Sequence, residues 1–154
     1  MQTCPKMKAM VEQLAQRHGL DLTQVEAHLR LDLPGFDRLV IENIGLNRIS
    51  VAHYFELNGD LVAEPDVVFY TTDTGDWAPL GISQSLTGWR SYAGFSEDGA
   101  RVVLYNPNGQ ADLAEFAEQW AENIAAQGWL AHGRPHVWPT ASAPSPSNPA
   151  PLSA

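Results

Sequence analysis

Residues that could take part in acid–base or metal chemistry gather in one stretch, residues 49–89, which contains no Lys or Arg. It combines an imidazole, a phenol and several carboxylates: His53, Tyr54, Glu56, Asp60, Glu64 and Asp66, followed by Asp73 and Asp76. Carboxylates with one imidazole suit Mg²⁺, Mn²⁺ or iron, and a metal bound in this way can activate water for hydrolysis. A metal-dependent hydrolase is therefore one hypothesis, and it requires at least three of these side chains to converge on one point.

Motifs that would support an enzyme are missing from the sequence. It has no H-E-x-x-H helix, no acidic calcium-binding loop, no G-x-S-x-G turn and no phosphate-binding G-K-[ST] loop. A nuclease core of the E/D-x-K type would need a lysine near these acids, and no lysine follows Lys8. The simplest interpretation is that the acids lie in turns and on a solvated surface. We therefore assign no catalytic residue and no metal ligand, and we expect no cofactor.

The charge of the chain indicates what kind of partner it could bind. Eighteen acidic and nine basic residues give a net charge of −9. Binding to a nucleic-acid backbone needs many Lys and Arg side chains, so direct binding of this kind is not expected. An acidic surface instead suits a basic protein partner. The leading hypothesis is a small non-enzymatic accessory or protein-interaction domain, and a sharper alternative is a nucleic-acid mimic that inhibits a DNA-binding enzyme.

Length and composition predict one domain with a hydrophobic core. The chain has 154 residues, 44% of them hydrophobic and five of them Trp, which is enough for one domain but not comfortably for two. No apolar run approaches the roughly 20 residues of a membrane span. The one cysteine, Cys4, excludes an intrachain disulfide. We therefore expect a cytoplasmic protein without a membrane segment.

Two amphipathic helices are predicted at the ends of this domain. In the first, Met7, Met10, Val11 and Leu14 form one apolar stripe. The apolar stripe of the second consists of Leu113, Phe116, Ala117, Trp120 and Ile124, and Gly128 is expected to end that helix.

Strand patterns fill the region between the helices. A hairpin is predicted from residues 27–33 and 38–44, followed by strands at 48–57, 66–72 and 89–95, among others. The connections are short, which favours antiparallel pairing. We therefore predict an α+β fold: an antiparallel meander of about five to six strands with both helices on one face.

The predicted strands place the candidate residues relative to one another. His53 and Tyr54 should point to opposite faces of their strand, while Tyr54 and Glu56 should share one face. Asp60, Glu64 and Asp66 are expected in or beside the connection that follows. The domain should span residues 1–132, because residues 133–154 are rich in Pro, Ser and Ala and predict a disordered tail.

Two passages of the sequence resemble a known family. PGFDRLVIENIG (residues 34–45) and ISVAHYFELNGDLVAEPDVVFY (residues 49–70) resemble an uncharacterised family of small bacterial domains often carried by plasmids and integrative elements. Its pattern resembles PGF-x-PLVIE followed by VAHY-x-x-NGDL-x-x-DP-x-x-F. The chain departs from it at Arg38 and at Glu64-Pro65-Asp66. The resemblance implies an α+β fold and a mobile-element setting. It marks as positions of interest His53, Tyr54, Asn58, Gly59, Asp60 and Asp66.

Overall fold

The computed structural model describes residues 1–137 of the chain, so most of the predicted tail, from residue 138 onward, lies outside the described residues. Three helices are present: α1 (Pro5–Arg17), α2 (Pro107–Gln127) and α3 (Trp129–His132). Nine strands complete the described part: β1 (His28–Asp32), β2 (Arg38–Gly45), β3 (Arg48–Leu57), β4 (Asp60–Thr71), β5 (Trp77–Gln84), β6 (Gly88–Ser91), β7 (Ala93–Phe95), β8 (Val102–Tyr105) and β9 (Arg134–Pro135). Within residues 1–137, no helix is both long and apolar enough to cross a membrane.

The predicted α+β fold with an antiparallel meander is confirmed. Seven strands pair in the order β6-β5-β4-β3-β2-β1-β9, all antiparallel, and β7 and β8 form a separate hairpin. The described sheet exceeds the predicted five to six strands because the short strand β9 returns to pair with β1.

The predicted strand at 89–95 is divided between two sheets at Tyr92. The Tyr92 amide donates a hydrogen bond to the Leu80 carbonyl in the main sheet, while the Tyr92 carbonyl accepts one from Asn106 beside the second sheet. The chain therefore changes sheets at this residue. Sequence patterning detects a run of strand-forming residues but not which neighbour each one pairs with.

The connection predicted between residues 57 and 66 is instead a strand. Asn58 and Gly59 have φ angles of 54° and 86°, the left-handed conformation of a two-residue hairpin turn. Pairing therefore resumes at once, from Leu57 with Asp60. As a result Glu64 is a strand residue and not part of a connection, whereas Asp66 lies in a strand, in agreement with the predicted strand at 66–72.

Both long helices pack on one face of the main sheet, as predicted. The core contains Val11 and Leu14 from α1, Ala117 and Ile124 from α2, and strand side chains that include Ile41. Asn106 caps α2 through its Oδ1, which accepts the Gly109 amide at 3.0 Å. Gly128 ends α2 in the left-handed conformation with φ 93°, which favours glycine.

The start of α1 is capped by a residue from the other long helix. The α1 N-cap position holds Cys4, whose side chain makes no capping hydrogen bond. The Glu118 carboxylate accepts the backbone amides of Lys6 at 3.1 Å and Met7 at 2.9 Å. A carboxylate at this end also complements the helix dipole. The two helices, about 110 residues apart in the sequence, are thereby fixed together.

The second face of the sheet is covered at one end by the β7–β8 hairpin. The Arg48 guanidinium donates to the Gly99 carbonyl at 2.7 Å and stacks 3.9 Å from the centre of the Phe95 ring. Tyr70 Oη donates to the Ala100 carbonyl at 3.4 Å. The opposite end of this face, around Tyr54, receives no helix or hairpin from the described part of the chain.

Candidate functional site

The six candidate residues all lie on the β3–β4 hairpin, but they fall into three separate environments. His53 points toward the helices, and Tyr54 and Asp66 point to the other face of the sheet. The remaining three, Glu56, Asp60 and Glu64, lie at or near the end of the hairpin.

His53 is a packing residue between the sheet and the helices. Its ring centre lies 5.6 Å from that of Trp120 and 5.8 Å from that of Trp129. Its Nδ1 is 3.0 Å from the Asp37 carbonyl oxygen. Burial lowers the pKa of His53 below its ordinary value, and the contact with the Asp37 carbonyl opposes this only in part. The neutral imidazole is therefore the form that the fold favours.

This lowered pKa predicts a loss of stability in mild acid. The unfolded chain takes up the proton near pH 6.5, before the folded chain does. The contribution of His53 is therefore complete above about pH 6.5 and is lost as the pH falls through the folded-state pKa, by at most about 1.4 kcal/mol per pH unit. Urea unfolding at pH 7, 6 and 5 should show a steeper decline for the wild type than for His53→Phe. The exposed His28 supplies the control, since His28→Gln should retain the wild-type slope; equal slopes for all three proteins would contradict the prediction.

Tyr54 and Asp66 belong to a polar cluster on the uncovered end of the second face. Ser50 Oγ donates a hydrogen bond of 2.5 Å to Asp66 Oδ1. Burial raises the pKa of Asp66, and the nearby Glu42 adds to the increase. The pKa of Tyr54 is raised mainly by burial and further by Asp66. Beside them is a shallow cavity of about 230 Å³, lined by Arg30, Arg38, Val40, Glu42, Tyr54 and Leu61.

Sequence reasoning missed Arg30, Glu42 and Ser50 as neighbours of this cluster. All three alternate with buried residues along β1, β2 and β3, so the period of two could have placed them on this face. What the pattern alone could not supply is the register, in which Glu42 pairs with Ser50 and Ala52 pairs with Asp66.

The end of the β3–β4 hairpin projects beyond both neighbouring strands. The pairing of β2 with β3 ends at Arg38 with Tyr54, and that of β4 with β5 ends at Asp66 with Ser83. We call residues 55–62 the hairpin tip; they pair only with one another. The tip carries exposed carboxylates at Glu56 and Asp60 and exposed leucines at positions 57 and 61.

Glu64 lies next to the tip, and its carboxylate is hydrogen-bonded to another part of the chain. Its carboxylate accepts the Ser85 amide at 2.7 Å and also a hydrogen bond from the Ser85 hydroxyl. The β3–β4 register shifts between the pairs Ala52–Asp66 and Tyr54–Ala63, so β4 carries one extra residue there. Glu64 therefore fastens the hairpin to the β5–β6 turn.

The structure does not bring His53 and the carboxylates together. His53 lies on the helix-covered face while Asp66 lies on the other, and within residues 1–137 no group of three His, Cys, Asp or Glu side chains could hold a metal ion. The convergence that the hydrolase hypothesis requires is not formed by these residues. The predicted opposition of His53 and Tyr54 across the strand is present.

Cys4 is buried with its side chain directed into the core. Burial, and secondarily the Glu118 charge, raises the pKa of its thiol to about 12. Since the thiolate is the reactive form, labelling by a thiol-specific disulfide reagent at pH 8 should be roughly 100- to 1,000-fold slower in the folded protein than in urea. In a Cys4→Ala background, Leu86→Cys, at a position 96% exposed, should react promptly. Rapid labelling of native Cys4 would contradict this prediction.

Comparison with known proteins identifies a family for most of the chain. Neither the search of curated proteins nor the search of solved structures gave a match. A family model described as "Domain of unknown function (DUF6908)" matches residues 7–130. This match runs from the first turn of α1 to the start of α3, and it includes the whole β3–β4 hairpin and the polar cluster. The chain therefore belongs to the DUF6908 family of domains of unknown function.

Proposed function

We propose that this chain is a protein-interaction domain without catalytic activity, and that the hairpin tip, residues 55–62, contacts a basic partner protein. The observation that carries the proposal is the projection of the tip past β2 and β5 with apolar and acidic side chains exposed together. Such a mixture suits an interface, in which apolar contacts contribute affinity and complementary charges steer association.

Strand pairing gives each face of the tip one leucine and one carboxylate. Glu56 pairs with Leu61 on one face, and Leu57 pairs with Asp60 on the other. Leu57 is 55% exposed and Leu61 is 49% exposed. A partner that grips the hairpin from both sides would therefore meet the same chemistry on each face.

The charge of the hairpin tip indicates that the partner surface should be basic. Residues 49–89 contain no Lys or Arg, so the hairpin tip itself carries no basic side chain that could neutralise Glu56 and Asp60. A basic protein surface with apolar positions between its charges would complement both kinds of side chain. Because the carboxylates are exposed, the association should weaken as ionic strength rises.

The positions of the acidic residues favour a local protein contact at the hairpin tip over mimicry of a nucleic-acid backbone. Asp60 begins β4, whereas Asp73 and Asp76 follow its other end, roughly 35 Å or more away at the rise of an extended strand. Glu64 and Asp66 are engaged within the fold. A nucleic-acid mimic would need a regular row of carboxylates, and the hairpin tip offers two of them.

Site-specific photo-crosslinking in the producing cell tests this proposal. A photoreactive amino acid at position 57, on the tip, should crosslink to one basic protein. The same amino acid at Val25, an exposed site near the opposite end of the sheet, should not. Adding Glu56→Gln and Asp60→Asn should reduce the position-57 product severalfold, whereas Asp112→Asn and Glu115→Gln on α2, the matched charge change, should leave it unchanged. Equal crosslinking from Val25, or an undiminished product after neutralisation of the tip, would overturn the proposal.

A further inference from the structure

A second surface of the molecule has the opposite charge. A groove of about 510 Å³ lies where the end of α1, the β1–β2 turn and the segment joining α3 to β9 meet. Its charged or titratable lining residues are Arg17, His18, His132 and Arg134, and no Asp or Glu of the described chain lines it. In a chain with a net charge of −9, this groove gathers two of the nine Lys and Arg residues and two of the five His residues.

These basic side chains have no partners within residues 1–137. Arg17, His132 and Arg134 are exposed, and the described chain supplies no ion pair or side-chain hydrogen bond to any of them. The Nε2 atom of His18 is buried and has no hydrogen-bond partner in the described residues. Buried polar atoms without partners are uncommon in folded proteins, so one lining residue of the groove, His18, has an unsatisfied ring nitrogen.

The nearest acidic residue by strand pairing does not neutralise the groove. Asp32 pairs with Arg134 through the backbone of β1 and β9. Its carboxylate is engaged elsewhere, with Oδ1 accepting Arg38 Nε at 3.1 Å and Oδ2 2.6 Å from His136 Nδ1. Both oxygens of the Asp32 carboxylate are thus already engaged by side chains outside the groove.

The backbone at Gly133 brings Arg134 to the groove. A side-chain carbon at this position would lie 2.6 Å from the Trp129 carbonyl oxygen, a backbone atom that cannot give way easily. The Gly133 amide donates to that same carbonyl at 2.9 Å. Glycine therefore permits the tight exit from α3 that places His132 and Arg134 on either side of it in the lining.

We propose that this groove binds an organic anion that carries a carboxylate or phosphate group and an apolar body. Guanidinium groups bind the oxygens of both anions through paired, charge-assisted hydrogen bonds. The apolar part of the lining, Leu33, Pro34, Ala131 and Pro135, would contact the body of the ligand. The groove is built from segments other than the hairpin tip, so this inference is independent of the proposed function.

The proposal is tested by titrating the protein with matched probes and measuring binding by isothermal titration calorimetry and by NMR of the histidine rings. Phenyl phosphate and phenylacetate carry the two anions on the same apolar ring, and benzyl alcohol is the neutral control. We expect saturable binding of at least one anion, with shifts at His18 and His132, and no saturation by benzyl alcohol. The stronger of the two anions identifies the ligand class.

Paired variants show whether the groove is the site of binding. The double variant Arg17→Gln with Arg134→Gln should weaken binding of the anion at least about tenfold, equivalent to about 1.4 kcal/mol. Arg90→Gln with Arg101→Gln, the same charge change outside the groove, should alter it less than about twofold. Circular dichroism establishes whether each variant is folded. If a variant does not fold, the histidine shifts in the NMR titration of the wild-type protein still locate the binding site. Non-saturable binding, equal binding of the neutral probe, shifts away from both histidines or equal losses in the two variants would overturn the proposal.

Discussion

Replacement of Trp129 by alanine is expected to lower the free energy of unfolding by about 3–5 kcal/mol. Trp129 is 1% exposed and belongs to the core. Its ring centre lies 5.8 Å from that of His53 and 6.2 Å from that of Phe36, so one indole joins α3 to β3 and to the β1–β2 turn. A loss of this size would remove a large fraction of the 5–15 kcal/mol that stabilises a typical domain.

Urea unfolding followed by far-ultraviolet circular dichroism measures this loss. The neighbouring Leu130, in the same short helix, is 42% exposed and provides the control. Leu130→Ala should cost less than about 1 kcal/mol, because little buried surface is lost. A Trp129→Ala variant as stable as Leu130→Ala would show that α3 is not part of the cooperative core.

Gln110→Ala is expected to destabilise the fold by about 2–3 kcal/mol, since it removes the partners of buried polar groups. Gln110 is 1% exposed. Its Oε1 accepts the Gln2 amide at 2.8 Å, and its Nε2 donates to the Gln2 carbonyl at 2.8 Å and the Pro79 carbonyl at 3.2 Å. One amide side chain therefore joins α2, the N-terminal segment and β5.

Gln110→Glu separates this hydrogen-bonding role from a simple loss of packing. Glutamate has nearly the same shape, but its ionised carboxylate cannot donate to the Gln2 and Pro79 carbonyls and would be buried as an unpaired charge. Its folded-state pKa would therefore rise, and the variant should gain stability relative to the wild type as the pH falls toward 4.5. Urea midpoints at pH 7.5 and 4.5 measure the difference. A constant difference between variant and wild type would contradict the hydrogen-bonding role.

The elements of the fold were predictable wherever local chemistry determined them. The spacing of Met7, Val11 and Leu14 predicted α1, and the predicted hairpin at 27–33 and 38–44 is present as β1 and β2. Gly128 ends α2 as predicted. Phe116, which the same spacing placed in the apolar stripe, is 41% exposed and stacks on Trp120 instead. Helical periodicity gives a direction around the helix axis, whereas the extent of the neighbouring sheet determines which side chains are covered.

The sequence indicated which segment carries the candidate residues, but not how their side chains are arranged. Strand alternation correctly separates His53 from Tyr54. The expectation of a connection that contains Glu64 failed because the tight turn at Asn58 and Gly59 allows pairing to continue at once, so that Glu64 joins Asp66 in one strand. Once those residues are in a strand, each carboxylate is fixed to one face or to the Ser85 contact, and none can fold back toward His53.

The sequence by itself determined the fold class, the helical and strand segments, the charge and the basic-free stretch, because each of these depends on residue type and short-range spacing. The tertiary structure alone decided which side chains meet. It placed His53 between two tryptophans, Ser50 against Asp66, the Glu118 carboxylate at the start of α1, and the basic groove at the junction of three distant segments. Strand register and helix packing bring together residues up to about 110 positions apart in the chain, and no local pattern encodes those distances.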